Sequence, residues 1–168
     1  MIKIFNNLFV TFFYIGTVRY APGTVASLIT TVFLFSSFYI LKLSNQLILV
    51  IFLIFLVYSF IAVSIYIKHS ENKDPKEVVI DEVLGQSIPI ITFEFSHQTG
   101  RNIEDAISFY FLFFIFFRLY DIFKPFPANY IDKNFKNSFG VIFDDLIAGL
   151  YVVLTFIIFM IIKSKFLI

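Results

Sequence analysis

From Leu47 to Ile67 the chain runs for 21 residues without one charged side chain. A helix of this kind is apolar on every side, and a bilayer crossing needs about 20 mostly apolar residues. The run is therefore a transmembrane helix, and the rest of the chain must fit beside it. Thr24–Leu41 is a second such run, joined to the first by the polar turn Lys42–Gln46. Val141–Ile162 is long enough for a third, with Asp144 and Asp145 near its start. Val83–Phe95 and Ala106–Phe117 are shorter apolar runs on either side of the polar loop Ser96–Asp105. They cross only with tilt or with help from flanking polar residues; a re-entrant pair is the alternative. Ile4–Ile15, interrupted by Asn6 and Asn7, suits an interfacial or buried helix. No small-residue cleavage site closes it before Gly16, so it is a poor signal peptide. The expected fold is all-α: one polytopic membrane helix bundle over residues 1–168, with about five membrane segments, three long and two short.

Composition narrows the function. Charged residues make up 15% of the chain and hydrophobic ones 59%, against about 25% charged in soluble domains. Disordered, collagen-like and disulfide-scaffold classes are excluded. With no Cys there is no disulfide, thiolate nucleophile or cysteine metal site. A net charge of +1 lacks the basic surplus of a nucleic-acid binder. The 26 Phe are packing residues and the mark of an AT-rich genome.

Parity then orients the chain. If five segments cross, residues 1–23, 68–82 and 118–140 share one face, which holds nine of the 13 basic residues. The positive-inside rule makes that face cytoplasmic. It also holds or adjoins nine of the 12 acids, including Asp144 and Asp145 at a span end. Acids embedded there are costly unless paired or bound to a cation.

Four polar clusters lie on this face. Gly16–Ser27 contains the turn Pro22-Gly23, Thr24 as an expected N-cap, Ser27 and Arg19. A helix N-terminus with hydroxyls and an Arg is a phosphate cradle, or simply a capped span with a snorkelling Arg. The second cluster carries Asp74, Asp81, Glu82 and Gly85. On a helix Gly85 lies beside both acids of the pair and leaves room for a substrate or another helix. Carboxylates without His or Cys suit a hard cation such as Mg²⁺; acids favoured by a helix N-terminal dipole are the plainer account. The third cluster steps Arg118, Asp121 and Lys124 along one helix side until Pro125. Those three either pair with one another, or give the cations to a phosphate and the carboxylate to a metal. The fourth, Asp144-Asp145 followed by Ala148-Gly149, repeats the design of the second. Small residues let two helices approach and bring both acid pairs to one centre. His69 and His97 lack motif partners and are loop or interface residues.

Ala21-Pro22-Gly23-Thr24, Asp81-Glu82-x-x-Gly85, Phe117-Arg118-x-x-Asp121-x-x-Lys124-Pro125-x-Pro127 and Asp144-Asp145-x-x-Ala148-Gly149 follow one another in a familiar order and spacing. Over residues 14–155 or so the chain resembles the phosphatidylglycerophosphatase A family. The resemblance implies a bacterial inner-membrane, Mg²⁺-dependent phosphatase that converts phosphatidylglycerophosphate to phosphatidylglycerol and phosphate. The candidate metal ligands are then Asp81, Glu82, Asp121, Asp144 and Asp145, with Asp81, Glu82 and Asp145 leading for metal binding or water activation and the others in support. Asp81, Glu82, Arg118 and Lys124 are the candidate catalytic residues. Arg19, Thr24, Ser27, Arg118 and Lys124 are then the phosphate contacts, with Asp74, Gly85 and Gly149 in support. Three positions depart from the family pattern: Tyr14 and Ala26 replace glycines, and Ala128-Asn129 replaces a basic residue.

Other phosphatase chemistries lack their residues. There is no Cys, no paired-histidine motif and no Asp-x-Asp. Metal-assisted attack by water remains, with a carboxylate nucleophile such as Asp81 still open. A small transporter using intramembrane acids as cation sites is the competing class; it assigns no role to Arg118, Lys124 or the Pro-Gly-Thr turn. A purely structural membrane subunit is third, and needs no particular acid.

Overall fold

The computed structural model describes residues 2–70, 75–96 and 102–166. Seven α-helices follow in order: α1 Ile2–Val10, α2 Pro22–Phe35, α3 Asn45–Lys68, α4 Ile80–Ser96, α5 Ile103–Phe123, α6 Ala128–Asn134 and α7 Ser138–Phe166. A 3₁₀ turn at Ile15–Thr17 follows α1, and a π turn at Ser36–Ile40 extends α2. The expected all-α bundle is what the chain forms. Asp74 and His97 lie outside the described residues.

Four helical stretches are long and apolar enough to cross a membrane: Pro22–Ile40, Asn45–Lys68, Ile103–Phe123 and Ser138–Lys165. The run expected at Ala106–Phe117 is thus longer than its sequence suggested. Arg118 and Asp121 satisfy each other and let the helix continue to Phe123. Outward residues such as Ile54, Val57 and Leu154 are more than half exposed, as a lipid-facing surface requires.

The run expected at Val83–Phe95 is α4, 17 residues long and the most enclosed of the set. It packs against α2, α3, α5 and α7. A helix walled by protein needs no continuous apolar surface, which is why Gln86, Ser87 and Glu94 are tolerated within it. α2 and α4 run in the same direction. At one end Gly23 lies against the Glu82 side chain; at the other, Tyr39 Oη donates to Glu94 Oε1 at 3.1 Å. Tyr110 Oη donates to the same oxygen at 3.0 Å, so α5 is fastened there too.

The buried polar residues of α2 are satisfied within their own helix. Ser27, Thr30 and Thr31 donate to carbonyls four residues back at 2.8–2.9 Å. Thr24 is not the N-cap. Helix α2 begins at Pro22, with Ala21 at the cap in a left-handed conformation (φ 46°). Proline's preset φ and absent N–H suit the first helical position, and this moves the cap three residues upstream, from Thr24 to Ala21. Ser44 caps α3, its Oγ accepting from the Leu47 N–H at 3.3 Å.

Candidate active site

Helices α4 and α7 meet through glycine. A Cβ at Gly85 would lie 2.5 Å from the Asp145 carbonyl oxygen and 2.6 Å from Phe117 Cε2. A Cβ at Gly149 would run into the Gly85 carbonyl. The small positions after each acid pair therefore face each other, with the backbones nearly in contact. This approach carries Asp145 to the acids of α4. One carboxylate oxygen from each of Asp81, Glu82 and Asp145 lies within 4.8 Å of the others. Asp81 and Asp145 are buried, and Glu82 Oε2 is buried without a hydrogen-bond partner among the described residues. The Glu82 side chain occupies the space that a side chain at position 23 would fill, so Gly23 admits it to the N-terminus of α2.

The basic residues sit beside this trio and are held by other acids. Arg118 Nη1 pairs with Asp121 Oδ2 at 2.6 Å and lies 3.5 Å from Ser27 Oγ. Its Nε is buried and unpartnered among the described residues. Lys124 does not continue the Arg118–Asp121 row. It caps α5 in the left-handed region (φ 41°), which turns its side chain towards α7. Its Nζ meets Asp144 Oδ2 at 2.6 Å and Asp132 Oδ1 at 3.2 Å. Burial lowers the Lys124 pKa, but Asp144 and then Asp132 outweigh it, and the net shift is upward. Lys124 therefore keeps its charge throughout the physiological range.

The geometry follows the division that the sequence reading drew between leading and supporting acids. Asp81, Glu82 and Asp145 converge, whereas Asp144 is spent on Lys124 and Asp121 on Arg118. Asp144 Oδ1 remains buried without a partner among the described residues. Ser27 is fully buried and reaches Arg118. Thr24 is half-buried in the first turn of α2. Arg19 is exposed, its guanidinium 5.6 Å from the Tyr20 ring centre, and forms no ion pair among the described residues. Asp132 was not singled out from sequence. It lies on the short helix α6, and only the fold-back of that helix brings it to Lys124. Gln86 was missed as well. It is fully buried, one turn below Glu82, with both amide atoms unpartnered among the described residues.

The trio offers only carboxylate oxygens, the donor set of a hard divalent cation. Among the described residues no basic side chain forms a salt bridge with any of the three. Three close carboxylates with an orphaned buried oxygen fit a cation better than they fit one another.

Comparisons with known proteins place the chain among lipid phosphatases. A Bacteroides thetaiotaomicron protein with the provisional name phosphatidylinositol-3-phosphatase is 28% identical over 137 residues, 81% of each chain. Phosphatidylglycerophosphatase A of Haemophilus influenzae is 46% identical over 41 residues, 24% of this chain and 25% of that protein. Phosphatidylglycerophosphatase A of Escherichia coli is 28% identical over 94 residues, 53% of this chain and 49% of that one. No solved structure matches. The family model described as Phosphatidylglycerophosphatase A matches residues 8–160, a stretch that takes in every element of the cluster, and the chain belongs to that family of membrane lipid phosphatases.

Proposed function

We propose that this chain removes the terminal phosphate of phosphatidylglycerophosphate, releasing phosphatidylglycerol and inorganic phosphate, with Mg²⁺ as cofactor. The observation that carries the reading is the convergence of the Asp81, Glu82 and Asp145 oxygens within 4.8 Å, beside Arg118 and Lys124. Asp81, Glu82 and Asp145 would hold the cation. When bound, Mg²⁺ offsets the charge of the three acids and polarises a phosphoryl oxygen. Arg118 and Lys124 take the remaining phosphate oxygens, and their grip strengthens as charge builds in the transition state. Asp121, Asp144 and Asp132 hold those two cations in place before substrate arrives. Water attacks phosphorus, the bond to the glycerol oxygen breaks, and that oxygen leaves with a proton. Glu82 Oε2, unpartnered among the described residues, would accept the proton of the attacking water.

Purified chain in detergent should release phosphate from phosphatidylglycerophosphate. Chelation should stop the release and added Mg²⁺ should restore it. Full activity in excess chelator, with metal removal verified, rules out the cation. The B. thetaiotaomicron relative makes phosphatidylinositol 3-phosphate a second substrate for the same assay. Faster turnover of that lipid would move the assignment to an inositol headgroup. No phosphate release from any lipid phosphomonoester would favour a cation transporter.

Family membership supports a bacterial inner-membrane location, and the charge pattern supports a site on the cytoplasmic face. The chain is free of Cys, so single cysteines report topology directly. Lys42→Cys should react with an impermeant thiol reagent in intact cells, and Lys133→Cys only after permeabilisation. The opposite pattern would put the site on the outer face.

A further inference from the structure

Gln86 is fully buried in the middle of the bundle, and neither its Oε1 nor its Nε2 has a hydrogen-bond partner among the described residues. An idle amide in such a place is expensive, because both its donor and its acceptor have lost water. Its depth is set by two parallel helices. Gly23 of α2 meets Glu82 of α4 at the site end, and Tyr39 meets Glu94 at the other. Four residues down each helix, a descent of about 6 Å, stand Ser27 and Gln86. Arg118 reaches the same level, with Nη1 3.5 Å from Ser27 Oγ and Nε buried and unpartnered. Beneath the acid trio there is thus a second polar layer, further into the membrane, in which the Gln86 amide and Arg118 Nε are unpartnered among the described residues.

A lipid whose terminal phosphate sits at the trio must thread the rest of its headgroup towards the bilayer. The chemistry of an amide says what it meets there. A phosphate dianion offers acceptors only and would leave Oε1 unsatisfied. A linker with a hydroxyl and a second phosphate satisfies both ends. We propose that Gln86 is a headgroup-reading residue: its amide accepts from the linker hydroxyl and donates to the phosphodiester of a lipid that carries both, with Arg118 Nε as the adjacent donor. The assignment rests on the phosphatase reading above and deepens it. It makes the site select a glycerol-linked diphosphate headgroup over a lipid with a single phosphate such as phosphatidic acid.

The test is Gln86→Met, which removes both polar functions at nearly constant volume. Two inhibitors divide the headgroup: phosphatidylglycerol has the linker without the terminal phosphate, and inorganic phosphate is the converse. In the full-length protein in detergent with Mg²⁺, KM for phosphatidylglycerophosphate and Ki for phosphatidylglycerol should each rise at least about tenfold. Ki for inorganic phosphate should stay within about twofold, and the unfolding midpoint should not fall, since an unpaired amide has been replaced by an apolar group of similar shape. A purely structural Gln86 would instead shift both inhibition constants together, or neither, while lowering the midpoint. Either result overturns the proposal, as does a wild-type enzyme indifferent to phosphatidylglycerol. If wild type releases no phosphate from phosphatidylglycerophosphate, the reaction itself fails, which is visible before any variant is made. Stabilisation of the chain by phosphatidylglycerol in neutral-detergent micelles, present in wild type and lost in Gln86→Met, still reads the residue in that case.

Discussion

Asp81→Asn should yield a folded protein that scarcely hydrolyses its substrate, with turnover lower by about 10²-fold or more. The exchange keeps the size of the side chain and removes one charge from three carboxylates gathered within 4.8 Å. Loss of that repulsion favours folding, so the detergent-soluble yield and the unfolding midpoint should hold or rise. Metal dependence supplies the second readout: the variant should need more Mg²⁺ for whatever turnover remains. If the acids served only to close the bundle, specific activity of the folded fraction would stay near wild type, and that outcome would remove Asp81 from the site.

Gly149→Val should have the largest effect on folding. The added Cβ would meet the Gly85 carbonyl and lie 3.2 Å from Ile88 Cβ, and neither neighbour can swing away as the end of a long side chain would. Overpacking in a tight core costs about 1–3 kcal/mol and sometimes more. A clash between two helix backbones belongs at the upper end. The folded yield should drop sharply, and any surviving protein should be inactive, because the same contact delivers Asp145 to Asp81 and Glu82. Leu150→Val, at a neighbouring site that is 49% exposed towards lipid, is the control and should melt near wild type. Equal unfolding midpoints for the two variants would show that the α4–α7 approach is not as tight as described.

Much of this molecule is written locally. An uncharged run such as Leu47–Ile67 has one physical outcome in a cell, because a helix satisfies its own backbone and lipid satisfies its side chains. The acid pairs were legible for the same reason: Asp81-Glu82 and Asp144-Asp145 enter apolar helices, where charge is tolerated only with a purpose. Glycine one turn later signalled close approach, and Gly85 and Gly149 do face each other. The extent of α4 and α5 was less legible. Hydropathy registers what lipid would see, and α4 is walled by protein while the end of α5 carries an internal ion pair.

The sequence already set Asp81, Glu82 and Asp145 ahead of the other acids, and what only the tertiary structure decided is which cation each remaining acid holds. Spacing placed Arg118, Asp121 and Lys124 in one row, but a single left-handed residue at the end of α5 turns Lys124 to Asp144 and Asp132. That contact takes Asp144 out of its apparent pair, leaving Asp145 to join Asp81 and Glu82. Nothing near Asp132 in the chain forecasts it, since its partner arrives from another helix. Gln86 is equally silent as a letter between Gly85 and Ser87. Local sequence determines which segments are helical and which of them enter the membrane. The pairing of charges and the idleness of a buried amide depend on distances between helices, and these exist only once glycine has let α4 and α7 close on one another.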